Sequence, residues 1–376
     1  MKILHINSNY LHSPLYSEML RRLEYFNIYN DVIMPRKKAD NKHLNSNLLE
    51  TNSKIYNSQI INKADRFLYF RKQRKINNWV KSLEVDYTKY DIVHAHTLFS
   101  DGYQAYISNR PYVVTIRNTD VNYYLKYFKH LYPVAKNIIN KAKKIIFLSE
   151  SYKEKFLVKL FKNENTRSKV AEKSIVIPNG INDFWINNAN NENKVIKDEI
   201  NVLFIGRIMK NKNIDFIARN LNDENFNKKI NIYVIGEVIE NEYYEKLKRF
   251  HNVVFLGKKS KNELINIMKS MHIFAMVSFH ETFGLVYLEA LTQNLPLLYT
   301  KNEGFDNYFE NGRVGYAVNP NNDEELIDKF KKIYKEYNSL QVKISNINKN
   351  AFSWESNARN HQKIYINILN KNWKYT

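Results

Sequence analysis

At 376 residues the chain is longer than one ordinary hydrophobic core needs, and about 150 residues per domain suggests two domains. It has no cysteine, which excludes a disulfide framework and a thiolate metal site and fits a reducing cytosol. Lysine and arginine outnumber the acids 58 to 38, a net charge of +20 that favours a polyanion (nucleic acid, an anionic membrane surface or a phosphorylated substrate), although AT-rich codon usage would produce the same balance with no partner.

No apolar run approaches about 18 residues, and residues 1–7 are too short for a signal sequence, so neither a membrane span nor export is expected. Residues 2–7 read as a strand, followed by the glycine-free polar loop from Ser8 and Asn9 to Pro14 and by a helix through Leu20 and Leu23. Residues 35–82 carry few strand signals. Basic and aromatic residues interleave over 63–81 instead. There Phe67, Phe70, Arg71, Arg74, Lys75 and Trp79 would form an amphipathic helix, lying either on a membrane surface or against the protein's own core. Residues 91–102 are a buried strand ending in polar residues. Strand alternation sends His94 and His96 to one face, where they either pack inside or line a cleft.

A strand over 112–116 opens into Arg117, Asn118, Thr119 and Asp120, and a basic, aromatic helical region over 123–144 leads into a strand over 145–149. Residues 175–182 are a strand ending in a Pro-Asn-Gly turn, and the Asn-rich residues 187–198 read as a linker. Residues 201–205 are a buried strand ending at Gly206, with Arg207 and Lys212 just beyond. Two cations at a strand's carboxyl end can neutralise a diphosphate. Further strands over 232–236 and 253–257 end in Gly236 and Gly257.

Residues 273–277 are a continuous apolar run of the kind buried on both faces of a sheet. The turn Ser278, His280, Glu281, Thr282 follows, then Phe283-Gly284, and Leu285, Leu288 and Leu291 recur at helical spacing until Pro296 forbids continuation. A strand over 295–299 comes next. This order puts a helix N-terminus at the carboxyl edge of a parallel sheet, where open α/β folds bind ligands and free N–H groups favour an anion. Glu281 and Glu289 cannot share a face of one helix at about 100° per residue, so Glu281 belongs to the loop and Glu289 lies roughly 7–8 Å along the helix. A long, hydroxyl-rich ligand with phosphate in its middle, such as a nucleotide sugar, matches that separation. The pattern continues over 302–320, and a terminal helix is expected over 354–373.

Glu281-x7-Glu289 with Phe283-Gly284-Leu285 inside it, preceded by Gly206-Arg207-x4-Lys212, resembles the signature of retaining glycosyltransferases of family 4 with the GT-B fold. Asp91-Ile92-Val93-His94-Ala95-His96 and Pro178-Asn179-Gly180 are similar to two further family segments, so the resemblance covers nearly the whole chain, more fully from residue 175 onward. It implies an α/β protein of two Rossmann-like domains facing each other across a cleft that closes over the donor. The acceptor-binding domain would span 1–183, completed by a helix over 357–376 that crosses back to it, and the donor-binding domain 184–356. Carried over residue by residue, Glu281 meets donor-sugar hydroxyls, the backbone of Phe283 to Leu285 lies against sugar and phosphate, Glu289 holds the ribose, Arg207 and Lys212 bind the pyrophosphate, and the loop after Gly257 seats the base. Gly206, Thr282 and Gly284 complete the donor side, while Ser8, Asn9, His96, Arg117, Asn118 and Asp120 fall on the acceptor side. Glu281, Arg207, Lys212 and Arg117 would carry catalysis. Many relatives have His where Arg117 stands. Arginine stays charged and cannot carry a proton, which leaves it an electrostatic or acceptor-binding part.

The resemblance implies transfer of a hexose-type sugar from a nucleotide-diphosphate sugar, UDP before GDP, to a glycan or lipid-linked saccharide, for example one on a polyprenyl diphosphate. The setting would be capsule, lipopolysaccharide or another cell-surface glycoconjugate, made by a cytoplasmic enzyme bound peripherally at the inner face of the plasma membrane. No Asp-x-Asp ends a strand, so no metal or other cofactor is expected, and fixed cations with helix ends would neutralise the leaving group. A catalytically silent sugar-nucleotide or glycan-binding subunit and a GT-B sugar-nucleotide epimerase are the alternatives. The charge also raises nucleic-acid binding, but no recognised module accompanies it and no nucleic-acid partner is expected.

Overall fold

The computed structural model describes residues 1–38 and 53–372. The chain divides into two compact units, one made of Met1–Leu148, Tyr152–Gly180 and Trp354–Thr376, the other of Ser149–Ser151 and Ile181–Ser353. Each is built on one parallel sheet. No helix among the described residues is long and apolar enough to cross a membrane.

In the first unit the strands are β1 (Lys2–Ile6), β2 (Tyr29–Lys37), β3 (Ile55–Ile61), β4 (Ile92–Ala95), β5 (Tyr112–Ile116), β6 (Lys144–Phe147) and β7 (Ser174–Val176), ordered β3-β2-β1-β4-β5-β6-β7. Every residue of β4 and β5 is buried, as continuous apolar runs covered on both faces require. β3 overturns the expectation of few strands over 35–82. It is an edge strand, mostly half-exposed, so its Asn57, Ser58 and Gln59 need no apolar pattern to pair with β2.

The helix Tyr69–Ser82 buries Tyr69, Lys72, Gln73, Ile76 and Val80, so its core face is not the stripe of Phe67, Phe70, Arg71 and Arg74. Phe67 and Phe70 stand 65% and 64% exposed. The region over 123–144 is not one helix: a π-helical turn at Thr119–Tyr124 gives way at Phe128, and the α-helix proper is Tyr132–Lys141. The helix Trp354–Asn372 returns the chain to this unit, where Trp354, Ala358, Ile364, Tyr365 and Ile368 share a core with Ile3, Leu20 and Val32, and it packs on the helix Pro14–Glu24. Residues 373–376 of the expected terminal helix lie outside the described residues.

The second unit carries β8 (Glu199–Ile205), β9 (Lys229–Ile235), β10 (Val253–Gly257), β11 (Ile273–Met276), β12 (Leu297–Thr300) and β13 (Gly315–Val318), ordered β10-β9-β8-β11-β12-β13. From β8 the chain winds outward one way through β9 and β10, and from β11 the other way through β12 and β13. The strand order reverses between β8 and β11, and ligands of open parallel sheets bind in the crevice beyond such a point. In the first unit the same reversal lies between β1 and β4.

Candidate active site

At the reversal in the second unit, the loops after β8 and β11 meet. Phe279 donates its N–H to the Asn211 carbonyl at 2.9 Å, and the Asn211 amide donates to the His280 carbonyl at 3.0 Å. That stitching brings Lys212 Nζ to 2.6 Å from Glu281 Oε2, with the two side chains 14% and 16% exposed. Arg207 stands exposed beside Gly206 at the end of β8, with no carboxylate partner among the described residues. Glu281 Oε1 accepts the Thr282 N–H at 3.1 Å.

The helix Leu285–Thr292 starts at Gly284, whose φ of +77° is a left-handed value and whose added Cβ would stand 2.6 Å from the Tyr287 ring. Gly284 has no side chain to cap that end, and the first N–H groups of a helix favour an anion. Phe283 is buried against Phe305 and Tyr308, and only its backbone is offered to the loop. Glu289 sits half-buried two residues past Tyr287. Burial pushes its carboxyl up to about 7 against the opposing effects of Lys261 and of a hydrogen bond from Trp185. Gly257 ends β10 with open space where a side chain would be.

At the reversal in the first unit, Asp101 accepts from both the N–H and the Oγ of Ser8 and from Thr97 Oγ1 at 2.8 Å. The glycine-free first loop is thus held by a buried carboxylate whose affinity for a proton is raised by burial. Asp120 accepts the N–H groups of Leu98, Phe99 and Arg117 at 3.1, 3.2 and 2.9 Å, and burial pushes it up to about 6. Arg117 donates from Nε to the His96 carbonyl at 3.0 Å and lies 4.7 Å over the Tyr16 ring. Ser8, Asn9, Arg117 and Asn118 reach the surface, whereas His96 and Asp120 are fully enclosed and present no atom to solvent.

His96 belongs to a buried group with His5, His94 and His361. The Asn30 amide donates to the Leu20 and Ile28 carbonyls, so its Oδ1 accepts from His5 Nε2 at 3.0 Å. His5 Nδ1 must then accept from His96 Nε2 at 2.9 Å, leaving His96 Nδ1 an unprotonated atom with no partner among the described residues. Ligand atoms of His5, His94 and His96 lie within 4.8 Å of one another. The His94 and His96 rings are nevertheless stacked, 4.2 Å apart at 18°. An ion must lie in the plane of every imidazole that ligates it, which these two rings do not allow; His5 bonds instead to His96 and Asn30, and His94 to Tyr365 and Thr115. Burial holds all four histidines below the usual range, His5 and His361 at about 4.

Sequence reasoning missed Asp101, Trp185 and Glu303. Asp101 and Glu303 lie in segments that carry the pattern but were given no role there, and each of the three acts through a backbone group or a partner far away in sequence.

Residues 186–351 match the family model for glycosyl transferases group 1 and residues 18–183 that for glycosyltransferase family 4. The chain is similar to an uncharacterised glycosyltransferase of Methanocaldococcus jannaschii, 26% identical over 74% of this chain and 75% of that one. It is also similar to a capsular polysaccharide biosynthesis glycosyltransferase of Staphylococcus aureus, 27% identical over 61% and 62%. Sucrose-phosphate synthase from Thermosynechococcus elongatus has the same fold, with a TM-score of 0.72 over 99% of this chain and 100% of that one at 16% identity. So does an Anabaena protein determined with UDP and glucose, with a TM-score of 0.65 over 96% and 98% at 17% identity. Two parallel Rossmann-like sheets with these neighbours define the GT-B fold. The chain belongs to glycosyltransferase family 4, group 1, whose members take sugar from a nucleotide sugar.

Proposed function

We propose that this glycosyltransferase moves a hexose from a UDP-sugar to a lipid-linked saccharide, with retention and without a metal ion. The observation that carries the reading is the Lys212–Glu281 pair at 2.6 Å, formed between the loop that begins at Gly206-Arg207 and the loop that leads to the helix start at Gly284. An ammonium has three donors, so Lys212 can serve Glu281 and still reach a phosphate oxygen. Arg207 and the first N–H groups of the helix Leu285–Thr292 add fixed positive potential where the diphosphate gathers charge on leaving. Glu281 orients the sugar through its hydroxyls, and ionised Glu289 accepts the ribose hydroxyls. The acceptor oxygen bonds to the anomeric carbon on the face from which the diphosphate departs. The bond from that carbon to the diphosphate breaks, and the acceptor's proton passes to the departing phosphate oxygen. Arg117, with Ser8, Asn9 and Asn118, serves the acceptor.

UDP in the Anabaena neighbour supports a UDP-sugar, and the capsular relative supports a cell-surface glycan as product. Exposed Phe67, Leu68 and Phe70 stand beside Arg71 and Arg74, which with the charge of +20 supports peripheral docking at the anionic inner face of the plasma membrane, where a polyprenyl-diphosphate-linked acceptor would be met.

Thermal unfolding with a panel of UDP-, GDP-, ADP- and CMP-sugars in EDTA tests the reading. A donor at about 100 times its Kd should add roughly 2.7 kcal/mol to the wild type and far less to Arg207→Ala or Glu281→Ala. A shift that appears only with added divalent metal would remove the metal-free mechanism. No shift with any donor would leave a subunit that has lost its donor site, and an isomerised donor released without acceptor would mark an epimerase.

A further inference from the structure

We infer that Glu303 is a positioning residue for Glu281: together with Gly304 it clasps the Glu281 peptide from both sides and sets where the Glu281 carboxylate stands. The inference rests on the donor-site reading above and adds a residue to it.

Glu281 lies on the irregular stretch between β11 and the helix Leu285–Thr292, where no ladder or helical hydrogen bond fixes the backbone. Two bonds from the turn after β12 replace them. The Glu281 N–H donates to Glu303 Oε2 at 2.9 Å, and the Gly304 N–H donates to the Glu281 carbonyl at 2.9 Å. Both peptide planes flanking the Glu281 Cα are therefore held, and only its side-chain torsions remain. Those are held in turn by Lys212 at 2.6 Å and by the Thr282 N–H at 3.1 Å.

The clasp is itself anchored. Asp306 donates its N–H to the Glu303 carbonyl at 2.9 Å, and Thr300 Oγ1 donates to the Ser278 carbonyl at 2.8 Å, tying the end of β12 to the start of the loop. The fit at residue 304 is close. A Cβ there would stand 1.9 Å from the Thr282 carbonyl oxygen and 2.5 Å from the Phe283 nitrogen. Glu303 is 7% exposed, and its other oxygen lies 3.8 Å from Nδ1 of the exposed His280. A carboxylate accepting from an amide makes a shorter and stronger bond than a neutral acceptor would. That suits a side chain whose work is to hold one peptide still beside a second carboxylate.

The first test is amide hydrogen exchange across residues 279–284 in wild type, Glu303→Ala and Glu303→Gln. The Glu281 amide should exchange at least tenfold faster in Glu303→Ala, while Glu303→Gln, which keeps an acceptor oxygen, stays near wild type. Unchanged exchange in Glu303→Ala overturns the clasp, and this readout needs no donor. Kinetics then tie the clasp to catalysis. Glu303→Ala should lower kcat/KM about 10- to 100-fold, Glu303→Gln less than about fivefold, and Glu303→Ala placed on Glu281→Ala less than about twofold further. Equal losses in both backgrounds, or Gln falling as far as Ala, overturn the positioning role. If Glu303→Ala does not fold, Glu303→Asp replaces it. Its oxygen is withdrawn by one methylene, so it should behave as Ala does, and Asp outperforming Gln overturns the inference. Absence of any nucleotide-sugar binding by the wild type would instead sink the donor-site reading, and the exchange result would stand apart from it.

Discussion

Glu289 is half-buried, and its carboxyl, pushed up to about 7 by burial, changes charge in the neutral range. The folded-state value lies above the unfolded one, so the folded protein holds this proton more tightly and loses stability as pH rises from about 4.5 to 7, by at most ~1.4 kcal/mol per pH unit. Ligand affinity runs the other way, because ribose hydroxyls donate to the ionised form. Nucleotide affinity should fall up to about tenfold per unit below pH 7, and Glu289→Gln should bind more weakly with a flat profile. Calorimetric titration between pH 5.5 and 8.5 checks this, and a flat wild-type profile would take Glu289 off the ribose. The two donor-site cations separate by a different measurement. Arg207 is exposed without a carboxylate partner among the described residues, so Arg207→Ala should weaken nucleotide binding while shifting the stability of the free protein by less than about 0.5 kcal/mol. Lys212→Ala should lower both, because it leaves Glu281 mostly buried without its counter-charge.

Elements differ in how plainly their residues announce them. The helix Leu285–Thr292 is legible because apolar spacing starts after Gly284 and Pro296 stops it. β3 is not, because an edge strand borrows its order from β2 through backbone bonds that carry no side-chain signature. The helix Trp354–Asn372 is legible as a helix, but its task becomes visible only in the fold. Tyr365 on it shares a 2.7 Å hydrogen bond with His94 Nδ1 in the core of the first unit. Tyr365→Phe should leave that buried nitrogen unsatisfied and cost ~1–3 kcal/mol in urea unfolding, with nucleotide affinity unchanged because the donor residues lie in the other unit.

At the scale of the whole molecule, a net charge of +20 predicts attraction to anionic vesicles that fades as salt shortens the Debye length. The exposed Phe67 and Phe70 set a second, salt-resistant component. Phe67 follows the turn Lys63–Arg66 and Phe70 lies in the first turn of the helix Tyr69–Ser82; the buried Asp65 pairs with Arg71 at 2.7 Å and Lys75 at 2.8 Å on the helix, so the aromatic rings are presented from a fixed base. In flotation assays the wild type should prefer phosphatidylglycerol vesicles to neutral ones. Phe67→Ser with Phe70→Ser should lose the part that survives about 0.5 M salt without lowering the unfolding temperature. Equal binding to neutral and anionic vesicles would remove the membrane from the proposed function.

The sequence alone determined that the chain is α/β with two parallel sheets, and it singled out Arg207, Lys212, Glu281 and Glu289. Apolar runs, glycine turns and motif spacing are local, and each survives in a linear reading. Which carboxylate faces which cation was decided only by tertiary structure: Lys212 and Glu281, 69 residues apart, meet because β8 and β11 are neighbours in the sheet. The same holds for the enclosure of His96 and Asp120. Strand alternation left His96 either inside or on a cleft until the His5 and Tyr16 rings closed on it, and Asp120, an aspartate after a strand, looks like a surface group until the backbone N–H groups of Leu98, Phe99 and Arg117 close on it. Glu303 shows the limit most plainly. Its partner is a peptide N–H, and since every residue but proline carries one, only the folded chain could say which it would hold.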